Sequence, residues 1–265
     1  MSGGEFLLTL VAVALGPVAW ALWLVGARSA QGLRRGAGLH VIAAAVTVSA
    51  LLLVGVLKTV ASFDVVDDIR YQFMYLVLGL AWLRFAAVAF AFVGVSARDD
   101  AIERGNSAAA IALAGALVGA ALCYVGGNIG DGPGWWVVVF SAVLSTLTSL
   151  VFWIVLSLCS PVIDAVVIDR DRATGARLAG FLIAIGLVLG RGVAGDWTSA
   201  TQTIADFAVV LPLAGVILMM AIGMERLAHL TPERPQGPMI TFGILPALAY
   251  LAVAVTGVRV LGWPP

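Results

Sequence analysis

Eight long stretches of the chain consist almost entirely of apolar residues, and short polar segments separate them. An α-helix needs about 20 such residues to cross the ~30 Å hydrocarbon core of a bilayer. The stretches are continuous rather than alternating and are longer than a barrel strand, so they predict helices whose backbone groups satisfy one another in lipid. The predicted spans are 6–25, 39–60, 71–95, 107–125, 135–158, 175–193, 204–224 and 239–261.

The composition favours a membrane protein over a soluble one. Apolar residues make up 62% of the 265 residues and charged residues 11%, whereas soluble domains carry roughly a quarter charged residues. A soluble fold could not keep so much apolar surface away from water. The sequence therefore predicts a single all-α integral membrane domain over residues 1–265. The net charge is zero, which gives no indication of a nucleic-acid partner.

The basic residues predict the orientation of the spans. Most of them lie in or near the segments that follow odd-numbered spans: Arg28, Arg34, Arg35, Arg98, Arg104, Arg170, Arg172, Arg177, Arg226 and Arg234. The opposite side holds Lys58, Arg70, Arg191 and Arg259. Cytoplasmic loops carry an excess of Lys and Arg, so both chain ends are predicted on the non-cytoplasmic side.

The segments before the even-numbered spans resemble one another. Arg35, Arg104, Arg172 and Arg234 follow each other at steps of 69, 68 and 62 residues. A unit of two spans returns the chain to the same side of the membrane. The spacing therefore predicts four two-helix units, arranged as two parallel four-helix repeats at approximately 1–130 and 131–265.

Two glycine motifs predict where helices pack closely. Gly115 and Gly119 lie four residues apart in span four, as do Gly186 and Gly190 in span six. Small residues let helix backbones approach in lipid. We favour packing within the chain and keep a subunit interface in a homo-oligomer as the alternative.

Arg84 is the sharpest polar feature within a span. An arginine near mid-bilayer costs about 2.5–3.5 kcal/mol on insertion scales, so it is expected to face protein or water. No other span carries a carboxylate at matching depth, which leaves hydroxyl groups of span five as partners: Ser141, Ser145, Thr148 and Ser149. The functional interpretation is a site for an anion or a lipid headgroup. The structural alternative is an arginine bonded to carbonyls and hydroxyls between helices.

Acidic residues cluster between spans two and three. Asp64, Asp67 and Asp68 lie there, together with Arg70. Such a cluster can attract cations to a vestibule. The alternative is a set of solvated loop charges.

Residues 102–115 read Ile-Glu-Arg-Gly-Asn-Ser-Ala-Ala-Ala-Ile-Ala-Leu-Ala-Gly and lead into span four. This stretch resembles the YjfL-like family of bacterial inner-membrane proteins, a domain of unknown function with Ile-x-x-x-Asn-x-Ala-Ala at the start of a helix. The resemblance covers 78–197, with a degenerate second copy at 168–180, and the other spans look like a diverged tandem copy. It implies a helical fold in a bacterial inner membrane and implies no activity.

The two copies define a candidate cytoplasmic motif. It consists of Glu103, Arg104 and Asn106 in the first copy and of Asp171 and Arg172 in the second. Asn106 opens span four, where an N-cap role would be sufficient to explain an asparagine.

Chemistry beyond these features has little support. His40 and His229 are the only histidines and have no clustered Cys or carboxylate ligands, so neither a metal nor a cofactor is predicted, and no catalytic motif indicates an enzyme. The leading hypothesis is an ion or small-solute pathway along the seam of the bundle, with Arg84 in or near it. The alternative is a non-transporting scaffold or envelope-stress component that binds lipids or protein partners. A seam filled by side chains would favour the scaffold, and a continuous wet path would favour the pathway.

Overall fold

A computed structural model of the chain describes residues 1–30, 37–228 and 238–262. Eight helices are long and apolar enough to cross a membrane, and we number them spans one to eight in chain order. They are Gly3–Ser29, Gly38–Thr59, Ile69–Phe92, Ser107–Gly126, Trp135–Cys159, Arg172–Gly192, Ala200–Leu227 and Ile240–Leu261. The predicted all-α membrane fold is confirmed, and no predicted boundary differs from these by more than four residues.

Short elements occupy the connections between spans. Phe63–Val66 and Val162–Val167 are short α-helices, and Ala97–Glu103 is a π-helical turn. Ala61 forms isolated bridges with Ile129 and Gly130, and these are the only strand-like pairings in the described part of the chain. Loops between spans therefore contact one another as well as the helices.

Two spans contain a π-helical turn next to a proline. Span one consists of Gly3–Val13, a π-helical turn at Ala14–Val18 that holds Pro17, and Ala19–Ala30. Span eight begins with a π-helical turn at Ile240–Ile244 and continues as Leu245–Leu261, with Pro246 in its first turn. Proline has no N–H to donate along a helix, so it disturbs the regular bonding of the turn before it.

The spans alternate in direction, which gives the bundle two ends. We call the end that holds Ser2 and Gly262 the termini face, and the opposite end the arginine-rich face. The described arginines at the second end are Arg28, Arg98, Arg104, Arg170, Arg172 and Arg226. Arg34, Arg35 and Arg234 of the orientation argument lie outside the described residues, as does His229.

Spans four and six form the centre of the bundle, and we call them the central pair. In the most apolar 18-residue stretch of each span, 78% of the residues of span four and 83% of those of span six are buried. The corresponding share in the other spans is 17–44%. Spans four and six are therefore surrounded by protein, and the outer spans present one side to lipid.

The backbones of the two central spans touch each other. A Cβ atom added at Gly119 would collide with the carbonyl oxygen of Leu182, and one added at Gly186 would collide with the backbone of Gly119. Further contacts of this kind join Gly115 to Ala179, Gly190 to Leu122, Gly126 to Gly190 and Gly175 to Ala108. Apolar side chains gain little by leaving lipid, so close backbone approach is a main source of helix association in membranes.

The two central spans begin and end in the same local geometry, at positions 65 residues apart. Asn106 and Asp171 cap their first turns, and Gly130 and Gly195 follow their last turns with positive φ angles of 97° and 123°. This separation of 65 residues differs from the steps of 69, 68 and 62 residues between the arginines. The repeat of four two-helix units therefore stays a prediction.

Replacing Gly119 by alanine is expected to lower the free energy of unfolding by about 1–3 kcal/mol, because the added methyl group meets backbone atoms that cannot move without separating the helices. The matched control is Gly55→Ala in span two, where an added Cβ would meet nothing within 4 Å. Thermal melting of the purified protein in mild detergent measures both. Equal melting temperatures for the two variants would contradict a backbone contact at Gly119.

Candidate functional site

The structure does not bring Arg84 together with the hydroxyl groups of span five. The guanidinium carbon of Arg84 lies 5.9 Å from the ring centroid of Trp20 in span one, which is within cation–π distance. Trp20 is held in place by a hydrogen bond of 3.0 Å from its indole N–H to the carbonyl of Leu80. Among the described residues, Arg84 makes neither a hydrogen bond nor an ion pair.

The span-five hydroxyl groups mostly bond to backbone carbonyls. The Ser145 hydroxyl donates to Ser141 at 2.7 Å and lies 3.3 Å from the carbonyl of Cys123, and the Thr148 hydroxyl donates to Leu144 at 2.7 Å. Ser149 lines a void of about 10 Å³, which is room for one water molecule at most. The Ser145 and Thr148 hydroxyls therefore stabilise the bundle, whereas Ser141 lines a cavity at the end of the bundle that holds the termini.

The residues of the candidate cytoplasmic motif cap helices and form local ion pairs. The Asn106 side chain accepts hydrogen bonds from the N–H groups of Ala108 and Ala109 and donates to the carbonyl of Val166 at 2.8 Å. Asp171 accepts from the Thr174 N–H at 2.8 Å. Asn106 thus joins the start of span four to the connection before span six.

Three charged members of this motif, Glu103, Arg104 and Arg172, lie at the surface of the arginine-rich face, whereas Asp171 is buried. Glu103 pairs with Arg98 at 2.8 Å, and Arg104 pairs with Asp100 at 2.7 Å. Arg172 is exposed. Hydrogen bonding to Glu103 raises the pKa of Arg98 above its usual value.

A buried ion pair near the arginine-rich face was missed in the sequence analysis. Arg177 of span six and Glu225 of span seven are only 2% and 5% exposed. The Arg177 Nε and Nη2 atoms donate to the two carboxylate oxygens of Glu225, each at 2.7 Å. Its position in the sequence predicted that Arg177 belongs to the cytoplasmic flank of span six. The sequence does hold one sign that Arg177 is buried. It stands among Gly175, Ala176 and Ala179, whose small side chains indicate a helix packed on several sides.

The ion pair is part of a network that joins spans six, seven and eight. Arg177 Nη2 also lies 2.8 Å from the Thr174 hydroxyl, and Nη1 donates to the carbonyl of Phe242. Pro246 stands four residues after Phe242 and has no N–H to offer that carbonyl. The hydroxyl of Tyr250 is buried and finds no hydrogen-bond partner among the described residues. Arg177 therefore anchors the distorted start of span eight.

A polar cavity of about 280 Å³ opens at the termini face, and we call it the vestibule. It lies where the termini-face ends of spans one, three, five and seven meet the loops after spans two, four and six. Its polar and aromatic lining residues include Glu5, Asp64, Tyr71, Tyr75, Asn128, Asp131, Ser141 and Trp197. No basic side chain of the described residues lines it, so its three carboxylates give it a negative potential.

Hydrogen bonds between loops fix one wall of the vestibule. The Gly195 N–H donates to the carbonyl of Ile129 at 2.9 Å, and the Trp197 N–H donates to the carbonyl of Asp131 at 2.7 Å. The Asp131 N–H donates to the Asp196 carboxylate at 2.8 Å. The loop after span four and the loop after span six are thereby held together, directly above the central pair.

Tyr75 lines the vestibule, and the fully buried Tyr124 lies next to it in the bundle interior. The Tyr124 hydroxyl donates to the backbone carbonyl of Tyr75 at 2.8 Å. Tyr75 lines the cavity and is only 7% exposed, and its own hydroxyl forms no hydrogen bond with a described residue. A buried polar group without a protein partner is available to a ligand or to water.

The acidic loop before span three contributes only part of its charge to the vestibule. Asp64 lines the cavity, whereas Asp67 and Asp68 do not. Asp68 caps span three, and its hydrogen bonds with Arg70 lower the pKa of Asp68 to about 2. The described residues contain no cluster of carboxylate, Cys or His side chains arranged as metal ligands. The three carboxylates of the vestibule are therefore spread along its wall and do not converge on one point.

Replacing Glu225 by glutamine is expected to lower the free energy of unfolding by about 3–5 kcal/mol, because Arg177 would remain buried without a counter-charge. The double variant with methionine at both positions should regain much of this loss, since it buries no charge. Glu103→Gln is the matched control at an exposed ion pair, and little change is expected there. Denaturation of the purified protein in detergent measures all three. A double variant as unstable as Glu225→Gln would contradict the explanation.

Comparison with known proteins identifies one region of similarity. A family model described as Domain of Unknown Function (DUF350) matches residues 64–193, just under half of the chain, and this stretch overlaps the region 78–197 that resembles a known family in sequence. The description carries no YjfL name, and the single match gives no evidence for a tandem second copy. No curated protein and no solved structure matches the chain. The chain is thus a multi-pass membrane protein whose spans three to six, with the central pair, are similar to a domain of unknown function.

Proposed function

We propose that this protein is a non-transporting membrane component that binds a small cation in the vestibule. The observation that carries the proposal is the vestibule itself, a cavity lined by three carboxylates, by no basic residue of the described chain and by Tyr75, whose hydroxyl has no hydrogen-bond partner among the described residues. A cavity of one charge sign raises the local concentration of ions of the opposite sign.

The lining favours an organic cation over a chelated metal ion. The carboxylates of Glu5, Asp64 and Asp131 are not clustered as metal ligands. Tyr71, Tyr75 and Trp197 place aromatic rings beside them. Aromatic faces attract ammonium groups, most strongly where water is excluded. An alkylammonium ion matches this combination of diffuse negative charge and aromatic surface.

The close packing of spans four and six supports a protein that does not conduct the bound cation. Spans four and six are in backbone contact below the vestibule. The small void beside Ser149 is about 10 Å³, too small for a hydrated ion. A filled seam was the feature expected of the scaffold hypothesis.

The distribution of charge supports an orientation of the protein in the membrane and a surface that binds partners. The excess of arginine at one face favours that face as cytoplasmic, so the vestibule would open to the outside of a bacterial inner membrane. Glu103, Arg104 and Arg172 are exposed at the arginine-rich face and would there contact a cytoplasmic protein partner. The glycine contacts lie within one chain, so a homo-oligomer would use other surfaces.

One observation keeps a solute pathway as the second candidate. Arg84 is only partly exposed and has no counter-charge among the described residues. A fixed positive charge inside a span is a feature of some substrate pathways. The flux measurement below separates the two candidates.

The vestibule is expected to bind tetramethylammonium, and the variant carrying both Asp64→Asn and Asp131→Asn should bind at least tenfold more weakly. Each carboxylate within about 4 Å of a bound cation contributes between about 1 and 4 kcal/mol, depending on the effective dielectric. Titrations would follow tryptophan fluorescence of the full chain in nanodiscs, with tetramethylammonium, K⁺ and Mg²⁺ as probes. Asp67→Asn is the matched control, because Asp67 lies on the same loop outside the cavity. Absence of saturable binding for all three cations would overturn the proposed ligand class.

Proteoliposomes containing the full chain are expected to show only background flux of tetramethylammonium, K⁺ and Cl⁻. The Arg84→Ala variant should behave in the same way at matched, folded protein levels. Flux above that of empty liposomes, reduced by Arg84→Ala, would overturn the non-transporting role and establish the pathway along the seam.

A further inference from the structure

A second large cavity lies between spans one, two and three, in the half of the bundle nearest the termini face. Its volume is about 680 Å³, which is within the usual range of ligand pockets. Phe6, Leu10 and Phe73 line it, and each is half exposed or more. The cavity is therefore an apolar groove that opens sideways to lipid, and it shares no lining residue with the vestibule.

Packing on span three explains why the groove ends at mid-depth. Spans one and two both pack against span three. A Cβ atom added at Gly16 would lie 2.8 Å from the backbone N of Ala81 and the O of Val77, so spans one and three touch there. Val13 is the last residue of span one that lines the groove. The groove thus runs from this close contact toward the termini face and widens where the spans separate.

Two basic side chains stand at the end of the groove nearest the termini face. Lys58 lies in the last turn of span two and Arg70 in the first turn of span three, and both line the cavity. Arg70 also pairs with Asp68 at 2.6 Å, whereas Lys58 forms no ion pair with a described residue. Only four basic side chains of the described chain lie near this face: Lys58, Arg70, Arg191 and Arg259. Half of them therefore line one apolar groove.

This arrangement specifies the chemistry of the occupant. The long apolar wall fits an acyl chain, and the two cations at headgroup depth fit a phosphate. Lys and Arg near helix ends extend their charged groups to the headgroup layer, and basic pockets between spans bind anionic headgroups. We propose that the groove between spans one, two and three binds one anionic phospholipid, with its phosphate against Lys58 and Arg70 and an acyl chain along Phe6, Leu10 and Phe73.

The test is native mass spectrometry of the full chain in mild detergent, titrated with phosphatidylglycerol or with phosphatidylcholine of the same acyl chains. The wild type is expected to retain one phosphatidylglycerol per chain with at least tenfold higher affinity than phosphatidylcholine. The Lys58→Gln/Arg70→Gln variant should lose this preference. Val13→Trp should weaken the binding of both lipids, because the indole fills the closed end of the groove.

Two matched controls separate lipid binding from general damage. Arg259→Gln removes a basic side chain at the same face but outside the groove, and Leu22→Trp adds an indole to a lipid-exposed site elsewhere on span one. Both should retain the wild-type preference, and the melting temperature without added lipid should show that all variants fold. Equal affinity of the wild type for the two lipids would overturn the proposal, as would an unchanged preference in Lys58→Gln/Arg70→Gln. Displacement of the lipid by glycerol phosphate would also overturn it, because recognition would then rest on the headgroup alone.

Discussion

The backbone contact between spans four and six is the constraint on which the rest of the structure depends. In lipid, helices gain little from burying apolar side chains against one another, so dispersion forces and close approach must hold them together. The glycines at 115, 119, 186 and 190 remove the side chains that would keep the two helices apart. Spans two, three, five, seven and eight pack around this pair, and span one packs on span three, so each outer span can remain apolar on its lipid side. Both central helices are therefore buried along most of their length.

Arg84 and Arg177 show how the central pair determines the environment of a charged side chain within a span. Arg177 is surrounded by protein, and its guanidinium is saturated by a carboxylate, a hydroxyl and a carbonyl. Arg84 lies on an outer span and stacks on Trp20. A buried ion pair adds little net stability, and the removal of one partner is costly. The Arg177–Glu225 pair is thus best understood as a specific connection, which fixes spans seven and eight against the centre.

The fold was predictable from sequence because its main signals are local. A window of about 20 residues contains all the information that marks a span, and the glycine spacing marks a packing face. The ion pair was not predictable in this way, since Arg177 and Glu225 are 48 residues apart and each lies near the end of a span. The cap register was obscured for a related reason. A surface arginine can stand at slightly different positions before each span at little energetic cost, so the spacing of arginines does not report the helix starts. Asn106 and Asp171 must stand at the first turn to cap it, so their spacing of 65 residues does.

The vestibule is built from residues that continue the central pair, which connects the proposed binding site to the packing constraint. Gly127 and Asn128 follow directly from the end of span four, and Val193 and Gly195 follow from the end of span six. The loop hydrogen bonds that hold one wall of the cavity together join these same two ends. A change in the distance between spans four and six would therefore deform this wall. If the proposed cation binds against it, linkage requires that the cation stabilise the central contact by the same free energy that the contact contributes to binding.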